Sequence, residues 1–174
     1  TNYIGVPVIN ITTNDGTMIS SKTRYWDAKI SIDGAGFLPD LPETAMKIKG
    51  RGNSSWAGEW GKSPYRIKFP KKTRLLGPQE AKAKDWVLLA NAGDKLLLRN
   101  ALASRVGELM QMPFTPCYQF IDLYLNGRYD GNYQVSDQME VHKAGDSTAG
   151  YHGDQSCHRH QRWLLPGTRG QYRQ

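Results

Sequence analysis

The sequence has few of the residues that build disulfide frameworks or metal sites. Its 174 residues include two cysteines, Cys117 and Cys157, and no Cys-x-x-Cys pair. Two isolated cysteines do not form a disulfide framework, and without a paired motif they do not predict a zinc site. Cys117 lies in an apolar stretch, which favours a core residue over a nucleophile.

Long apolar runs and long basic runs are also missing. No stretch of about 18 apolar residues occurs, so no membrane span is expected. No signal peptide is visible. The chain starts at Thr1 and not at Met, which is compatible with an export signal that has been removed. The net charge of +7 suits an anionic partner or simply a basic, soluble surface. No Lys/Arg block exceeds Lys71-Lys72, so nucleic acid is not an expected partner.

Alternating apolar residues predict β-strands over most of the first 140 residues. The clearest strands are expected at 6–13, 23–32, 44–49 and 64–69, and the short, mostly apolar run 85–90 is expected to be a buried strand. A hairpin is expected from Tyr118 to Val135, because Asn126-Gly127 is the favoured pair for a type I′ turn. The Gly- and Ser-dense stretch 50–61 is predicted to be a loop.

One long helix is predicted between Asp94 and Pro113. Asn91 or Asp94 is placed to cap its free N–H groups. Apolar residues then recur at helical spacing, and we expect Leu98, Leu102 and Val106 to lie in the core. The predicted fold class is α+β, with a largely antiparallel sheet and one long helix.

The composition changes after Lys143. Residues 144–174 hold three of the four histidines and no Ile, Val, Met or Phe. Codons for residues 162–167, shifted by one base, admit Gly-Gly-Tyr-Phe-Leu-Glu, which is more plausible as a strand than the printed residues. We therefore expect an out-of-frame tail or, alternatively, a disordered polar tail. His152, His158 and His160 are accordingly not interpreted as a metal cluster.

Three stretches resemble the spore-coat CotH kinase family at family-like spacing. They are Met46-Lys-Ile-Lys-Gly-Arg-Gly-Asn-Ser-Ser-Trp56 with Lys62-Ser-Pro-Tyr-Arg-Ile-Lys-Phe69, Trp86-Val-Leu-Leu-Ala-Asn91 with Asp94-Lys95 and Arg99-Asn100, and Asp122-Leu-Tyr-Leu-Asn-Gly-Arg-Tyr-Asp-Gly-Asn-Tyr133 with Asp137. The resemblance implies the N-terminal lobe of an atypical protein-kinase-like fold over 46–143. Residues 1–45 would then be an appended N-terminal β segment, and 144–174 the tail.

The resemblance also implies a function and a location. A CotH-like kinase binds ATP with Mg²⁺ or Mn²⁺ and phosphorylates Ser in secreted or coat proteins. The implied location is extracellular, at the cell surface or in the spore coat. The residues implied for nucleotide binding are Arg51, Asn53, Ser54, Lys62, Arg99 and Asp137, and those for stacking or a loop lid are Trp56 and Trp60.

Small residues in the Gly/Ser-rich loop let the backbone approach phosphate, and a lysine supplies positive charge. Lys62 matches the family's phosphate lysine, and the alternative is one exposed lysine among several. Asp137 is either the acid that orients this lysine or a solvated loop acid. Arg99 either approaches a phosphate or ties the helix to the sheet, and we favour the structural role.

The sequence departs from the family where catalysis would occur. The family pattern continues with an Asp-bearing catalytic segment and a Trp-Asp-x-Asp metal segment, and Asp146 and Asp154 match neither. No catalytic or metal-binding residue is therefore assigned, and the printed chain is expected to be inactive. A missing lobe would leave part of the sheet uncovered and favour self-association. The alternative function is a non-catalytic surface module that binds carbohydrate or protein.

Overall fold

A computed structural model describes residues 5–56, 60–77, 82–112 and 115–138. The strands and the helix are β1 (Val8–Thr13), β2 (Trp26–Asp33), β3 (Leu41–Gly50), β4 (Tyr65–Thr73), β5 (Ala83–Leu89), α1 (Arg99–Leu109), β6 (Tyr118–Leu125) and β7 (Arg128–Asp137). A single 3₁₀ turn, Ser54–Trp56, follows β3. Within the described residues no helix is long and apolar enough to cross a membrane.

The seven strands form a closed barrel in the order β1-β2-β3-β4-β5-β7-β6. Neighbouring strands are antiparallel except for β1 and β6, which pair in parallel from Val8 opposite Asp122 to Ile11 opposite Leu125. The predicted α+β fold, an N-lobe-like sheet with a long helix, is therefore wrong. The reason is the β1–β6 pairing, which closes the sheet on itself and joins the strands of residues 1–45 to the same barrel as those of 46–138.

The barrel interior is filled by alternating side chains from every strand. Ile9, Ile11, Ile30, Ile48, Ile67, Trp86, Leu88, Ile121, Leu123, Tyr133 and Val135 have at most 1% of their surface exposed. Cys117 is also buried in this core, which confirms its predicted place. Because strand side chains alternate between faces, these residues occupy one continuous interior.

The Asn126-Gly127 turn confirms the predicted hairpin and helps to close the barrel. Asn126 and Gly127 have φ of 52° and 76°, the positive values that a type I′ turn requires. The Asn126 Oδ1 atom accepts a hydrogen bond of 2.8 Å from the Thr13 backbone N–H. Its own backbone N–H donates to the Ile11 carbonyl at 2.8 Å. One turn residue thus joins the end of β6 to the end of β1.

Helix α1 is shorter than predicted and is rotated relative to the predicted phase. It begins at Arg99, and its buried residues are Ala101, Ser104 and Gly107. The prediction that Leu98, Leu102 and Val106 lie in the core is wrong, because all three are exposed, Leu102 by 64%. The strands fill the interior, so α1 lies outside the barrel, and its small residues are the ones that are buried. The Tyr118 hydroxyl donates to the Ala101 carbonyl at 3.5 Å.

Candidate functional site

A cleft opens at the barrel end where β3 and β5 finish and β4 begins. Gly50 of β3 and Leu88 of β5 both pair with Tyr65, the first residue of β4. Because β3 and β5 run antiparallel to β4, the loops that follow them leave the barrel at the same end. These loops enclose a cleft of about 490 Å³. Its polar and aromatic lining residues are Arg51, Ser54, Ser55, Trp60, Asn91, Asp94, Arg99 and Asn100.

The first wall is the Gly/Ser-rich loop, where two glycines are required by close contacts. A Cβ on Gly50 would lie 2.2 Å from the Trp56 ring, and a Cβ on Gly52 would lie 2.2 Å from the Ser55 Oγ. Gly52 also has φ of 91°, which side-chain-bearing residues rarely adopt. Trp56 is therefore packed over Gly50, against the core.

Trp60 differs from Trp56 because its indole is open to solvent. It is 53% exposed and lines the cleft. A Cβ on Gly93 would lie 3.4 Å from the Trp60 ring, so the indole rests on the backbone of the second loop. Of the two tryptophans predicted to stack on a ligand, Trp60 is the one with an accessible face.

The second wall is held in place by asparagine side chains. Asn91 has φ of 51° and its Nδ2 donates to the Gln134 Oε1 of β7 at 3.2 Å. Its Oδ1 accepts from the Asn100 Nδ2 at 2.7 Å. Asn91 therefore ties the end of β5 both to β7 and to the first turn of α1.

Asp94 organises the start of the helix from five residues upstream. Its carboxylate accepts hydrogen bonds from the backbone N–H of Arg99 at 2.7 Å and of Leu96 at 3.2 Å. The Arg99 N–H in particular holds the pKa of Asp94 below its usual value. Asp94 thus satisfies one free N–H of the helix, as expected of a capping acid, although the helix begins later than predicted.

The cleft has an excess of positive charge. Arg51 is half-buried, and both burial and the neighbouring charge of Arg66 lower its pKa. Arg66 pairs with the buried Asp85 at 2.9 Å, whereas no carboxylate among the described residues forms an ion pair with Arg51. Arg99 stands on the other wall with 83% of its side chain exposed, 3.7 Å from Asp94. Two cations therefore face one cleft from opposite sides.

Lys62 lies behind the cleft rather than along it. Its ammonium group donates to the Ala90 carbonyl at 3.0 Å and to the Asn132 carbonyl. It also stands 4.2 Å above the centre of the Tyr133 ring. Burial lowers the pKa of Lys62, and the charges of Asp130 and Asp122 oppose that shift. Because Ala90 lines the cleft, Lys62 fixes part of its wall.

The structure brings together four of the eight residues predicted for the site. Arg51, Ser54, Trp60 and Arg99 line the cleft. Asn53 is exposed in the same loop, Trp56 packs inward, and Lys62 lies behind the wall. Asp137 ends β7 opposite Trp86, and its side chain falls outside the described residues.

Sequence reasoning did not select several residues that shape the site. Asn91, Asp94 and Asn100 line the cleft although no nucleotide role was assigned to them. The Tyr133 ring lies under the Lys62 ammonium group, and the Tyr133 hydroxyl donates to the Asp130 Oδ2 at 2.6 Å. The three stretches that resemble the CotH family contain all five of these residues, but only the strand pairing shows which of them lie close together.

The described residues do not supply a metal site. They contain no group of three or more His, Cys, Asp or Glu that could hold an ion. Asp94 is the one carboxylate that lines the cleft, and it is already engaged by two N–H groups and Arg99. The donor set present does not fit a Mg²⁺ or Mn²⁺ ion, and no step through a metal follows from it.

The comparison with known families places the sequence in one family. The sequence model of the CotH kinase protein family matches residues 48–155, more than half of the chain, and the chain belongs to that family. A search of curated proteins finds no match.

The family match confirms the resemblance seen in the sequence and includes both walls of the cleft. CotH is a spore-coat family whose members in general use nucleotides, which fits a surface location and a kinase-related function. The match extends past Lys143 to residue 155. The expected frame change near residue 144 falls outside the described residues and stays a prediction.

Proposed function

We propose that the cleft binds the phosphate groups of ATP and that the intact protein is a CotH-type kinase that phosphorylates Ser in secreted or coat proteins. The observation that carries this proposal is the convergence of Arg51 and Arg99 on one cleft beside Ser54. Guanidinium groups bind phosphate oxygens in a bidentate manner. Trp60 offers an exposed indole on the same cleft for the adenine base.

The electrostatics of Arg51 favour an anionic ligand. A half-buried cation beside a second cation is destabilised, as the lowered pKa of Arg51 indicates. A bound phosphate would supply the counter-charge that the described residues do not. Arg99, which is exposed on the opposite wall, would reach the same phosphates with little desolvation cost.

Lys62 has two roles in this proposal. An ammonium group has three donors, and two of them point to the Ala90 and Asn132 carbonyls. Lys62 would thus hold the Ala90 wall in place and add positive charge behind the proposed phosphate site. The family resemblance also implies that Asp137 orients this lysine, although Asp137 lies five residues along β7 from the Asn132 carbonyl that Lys62 contacts.

We also propose that the 174-residue chain binds nucleotide but does not transfer phosphate. Phosphoryl transfer relies on metal ions held by carboxylates, which spread the developing charge. Asp94 is committed to the helix start, and the family's Asp-bearing catalytic segments do not occur in the printed sequence. Nucleotide binding and phosphate transfer therefore call for separate measurements.

The binding claim is tested by titrating the chain with ATP, with and without Mg²⁺ or Mn²⁺, while following the melting temperature and tryptophan fluorescence. We expect stabilisation by ATP, a quench from Trp60, and at least about tenfold weaker binding in Arg51→Ala. Arg128→Ala removes the same charge from the exposed β6–β7 hairpin and should bind like the parent.

No stabilisation by any nucleotide would reject the proposal. Stabilisation by a neutral oligosaccharide from a panel, lost in Trp60→Ala, would instead support the surface-module alternative. The exposed indole suits both ligands, so the nucleotide and oligosaccharide arms must be run on the same protein.

A further inference from the structure

Five basic side chains lie together on the outer face of β3 and β4 and lead to the cleft. Lys47, Lys49 and Arg51 occupy every second position along β3 and the residue that follows it. On β4, Lys68 lies directly opposite Lys47, and Arg66 lies directly opposite Lys49. These five residues are called the basic track.

The alternation of the strands places the basic track outside the barrel. Ile48 and Ile67, the residues between its members, have no exposed surface and belong to the core. Because successive side chains of a strand point to opposite faces, the basic residues on either side project outward. The Arg51 backbone N–H donates to the Pro64 carbonyl at 3.1 Å, so the pairing of the two segments continues as far as Arg51. Since Arg51 also lines the cleft, the track ends at the proposed phosphate site.

The positive charge of the track is only partly balanced. Asp27 pairs with Lys47 at 3.1 Å, and Asp85 pairs with Arg66 at 2.9 Å. The other three members form no ion pair with a carboxylate in the part of the chain that the structure describes. Like charges directly opposite each other on neighbouring strands are destabilising. An anionic partner on this face would offset that repulsion.

We propose that the basic track binds an extended, anionic segment of the protein substrate, with carboxylate or phosphate groups at alternate positions. That this segment belongs to a substrate rests on the proposed kinase function. An extended chain places alternate side chains about 6.7 Å apart, which is also the spacing expected along β3 from Lys47 to Lys49. Anionic groups on one side of the segment would therefore match the cations in register, and the segment would reach the cleft at Arg51.

The aromatic residue beside the track favours a protein segment over a single-stranded nucleic acid. Nucleic acids of this kind gain affinity from bases that stack on aromatic side chains. The Lys49 ammonium group stands 4.7 Å above the centre of the Tyr25 ring and occupies one face of it. A protein segment needs no such stacking surface, because ammonium and guanidinium groups bind its carboxylates or phosphates through charge-assisted hydrogen bonds.

The test is fluorescence anisotropy of labelled peptides mixed with the intact 174-residue chain in the absence of nucleotide. The peptides carry Glu, phosphoserine or Gln at every second position and are otherwise identical. We expect the Glu and phosphoserine peptides to bind and the neutral Gln peptide not to bind. Binding should weaken as the salt concentration rises, because exposed charges are screened. The tighter of the two anionic peptides identifies whether the track prefers carboxylate or phosphate.

A double variant assigns the binding to the track. Lys49→Gln/Lys68→Gln should weaken binding of the anionic peptides about fivefold, as expected for the loss of two exposed charge contacts. Its melting temperature should not fall, because the change removes like-charge repulsion. The matched control Arg105→Gln/Arg128→Gln removes the same charge from α1 and from the start of β7 and should bind the peptides like the parent.

Three results would overturn the proposal: equal binding of the Gln peptide, an equal loss of binding in the two double variants, or tighter binding of a single-stranded oligonucleotide of equal charge. Stabilisation by ATP is measured on the same samples. Neither Lys49 nor Lys68 lines the cleft, so the response of their double variant to ATP should match that of the parent. A chain that binds the anionic peptides through the track but is not stabilised by ATP would retain the track as a binding surface and reject the kinase function.

Discussion

Two leucine-to-alanine substitutions, Leu88→Ala and Leu102→Ala, test the barrel and the helix orientation together. Leu88 has no exposed surface and lies on β5 between Tyr65 of β4 and Val135 of β7. Removing three carbons there forfeits about 2.4 kcal/mol, at about 0.8 kcal/mol for each. The cavity left behind brings the expected loss of unfolding free energy into the range of about 2–5 kcal/mol. Leu102 is 64% exposed, so its replacement should change stability by less than about 0.5 kcal/mol.

Urea unfolding at low micromolar concentration, followed by tryptophan fluorescence, measures both values. Trp86 is fully buried and reports on the core directly. The low concentration keeps any dimer from contributing to the stability. The Leu102→Ala variant should retain the helix, since alanine has the highest helix propensity. A loss of about 2 kcal/mol or more in this variant, the cost of truncating a buried leucine, would refute the exposed position of Leu102 and restore the helix phase that the sequence suggested.

Three further predictions concern the site and its surroundings. Lys62→Ala should weaken ATP binding at least about tenfold in calorimetry and lower the melting temperature, since two carbonyls lose their donor; unchanged binding would remove Lys62 from the site. Stability should fall as pH rises above about 10, because burial and the hydrogen bond to Asp130 raise the pKa of Tyr133, and the unfolded state then loses a proton that the folded state keeps. Tyr133→Phe should flatten this decline in urea unfolding, whereas the exposed Tyr124→Phe should not. With labelled ATP, Mn²⁺ and a Ser-rich substrate, the printed chain should transfer no phosphate, whereas a version restored to frame and extended should; comparable rates would contradict the proposed inactivity.

The strands and turns were predictable because their signals are local. Period-two alternation marked the positions of β1, β2 and β4, a short apolar run marked β5, and Asn126-Gly127 marked the hairpin. Closure was not predictable in the same way. The alternation of a strand does not indicate which other strand it pairs with. The parallel pairing of β1 with β6 joins residues more than 100 positions apart. The predicted fold class failed at that point.

The helix phase failed for a different physical reason. An apolar stripe at helical spacing normally faces the core, and Leu98, Leu102 and Val106 form such a stripe. The barrel, however, fills its own interior with strand side chains. Helix α1 then has access to the outer surface alone, where Gly107 allows close approach: a Cβ there would lie 3.0 Å from the Thr115 Oγ1. The small residues face the segment that leads into β6, and the large ones remain outside.

The candidate site shows how strand order brings distant motifs together at one end of the barrel. Gly50 and Leu88 flank Tyr65, so the loop after β3 and the loop after β5 meet by strand order alone. The approach of β7 adds a third contribution, because Leu89 pairs with Gln134 and brings the Asn132 carbonyl to Lys62. Gly131, with φ of 108°, lets the β7 backbone curve around that lysine, and a Cβ there would lie 3.4 Å from its Nζ. Substitutions in β7 should therefore alter nucleotide binding through Lys62 and the Ala90 wall, although no β7 residue lines the cleft itself.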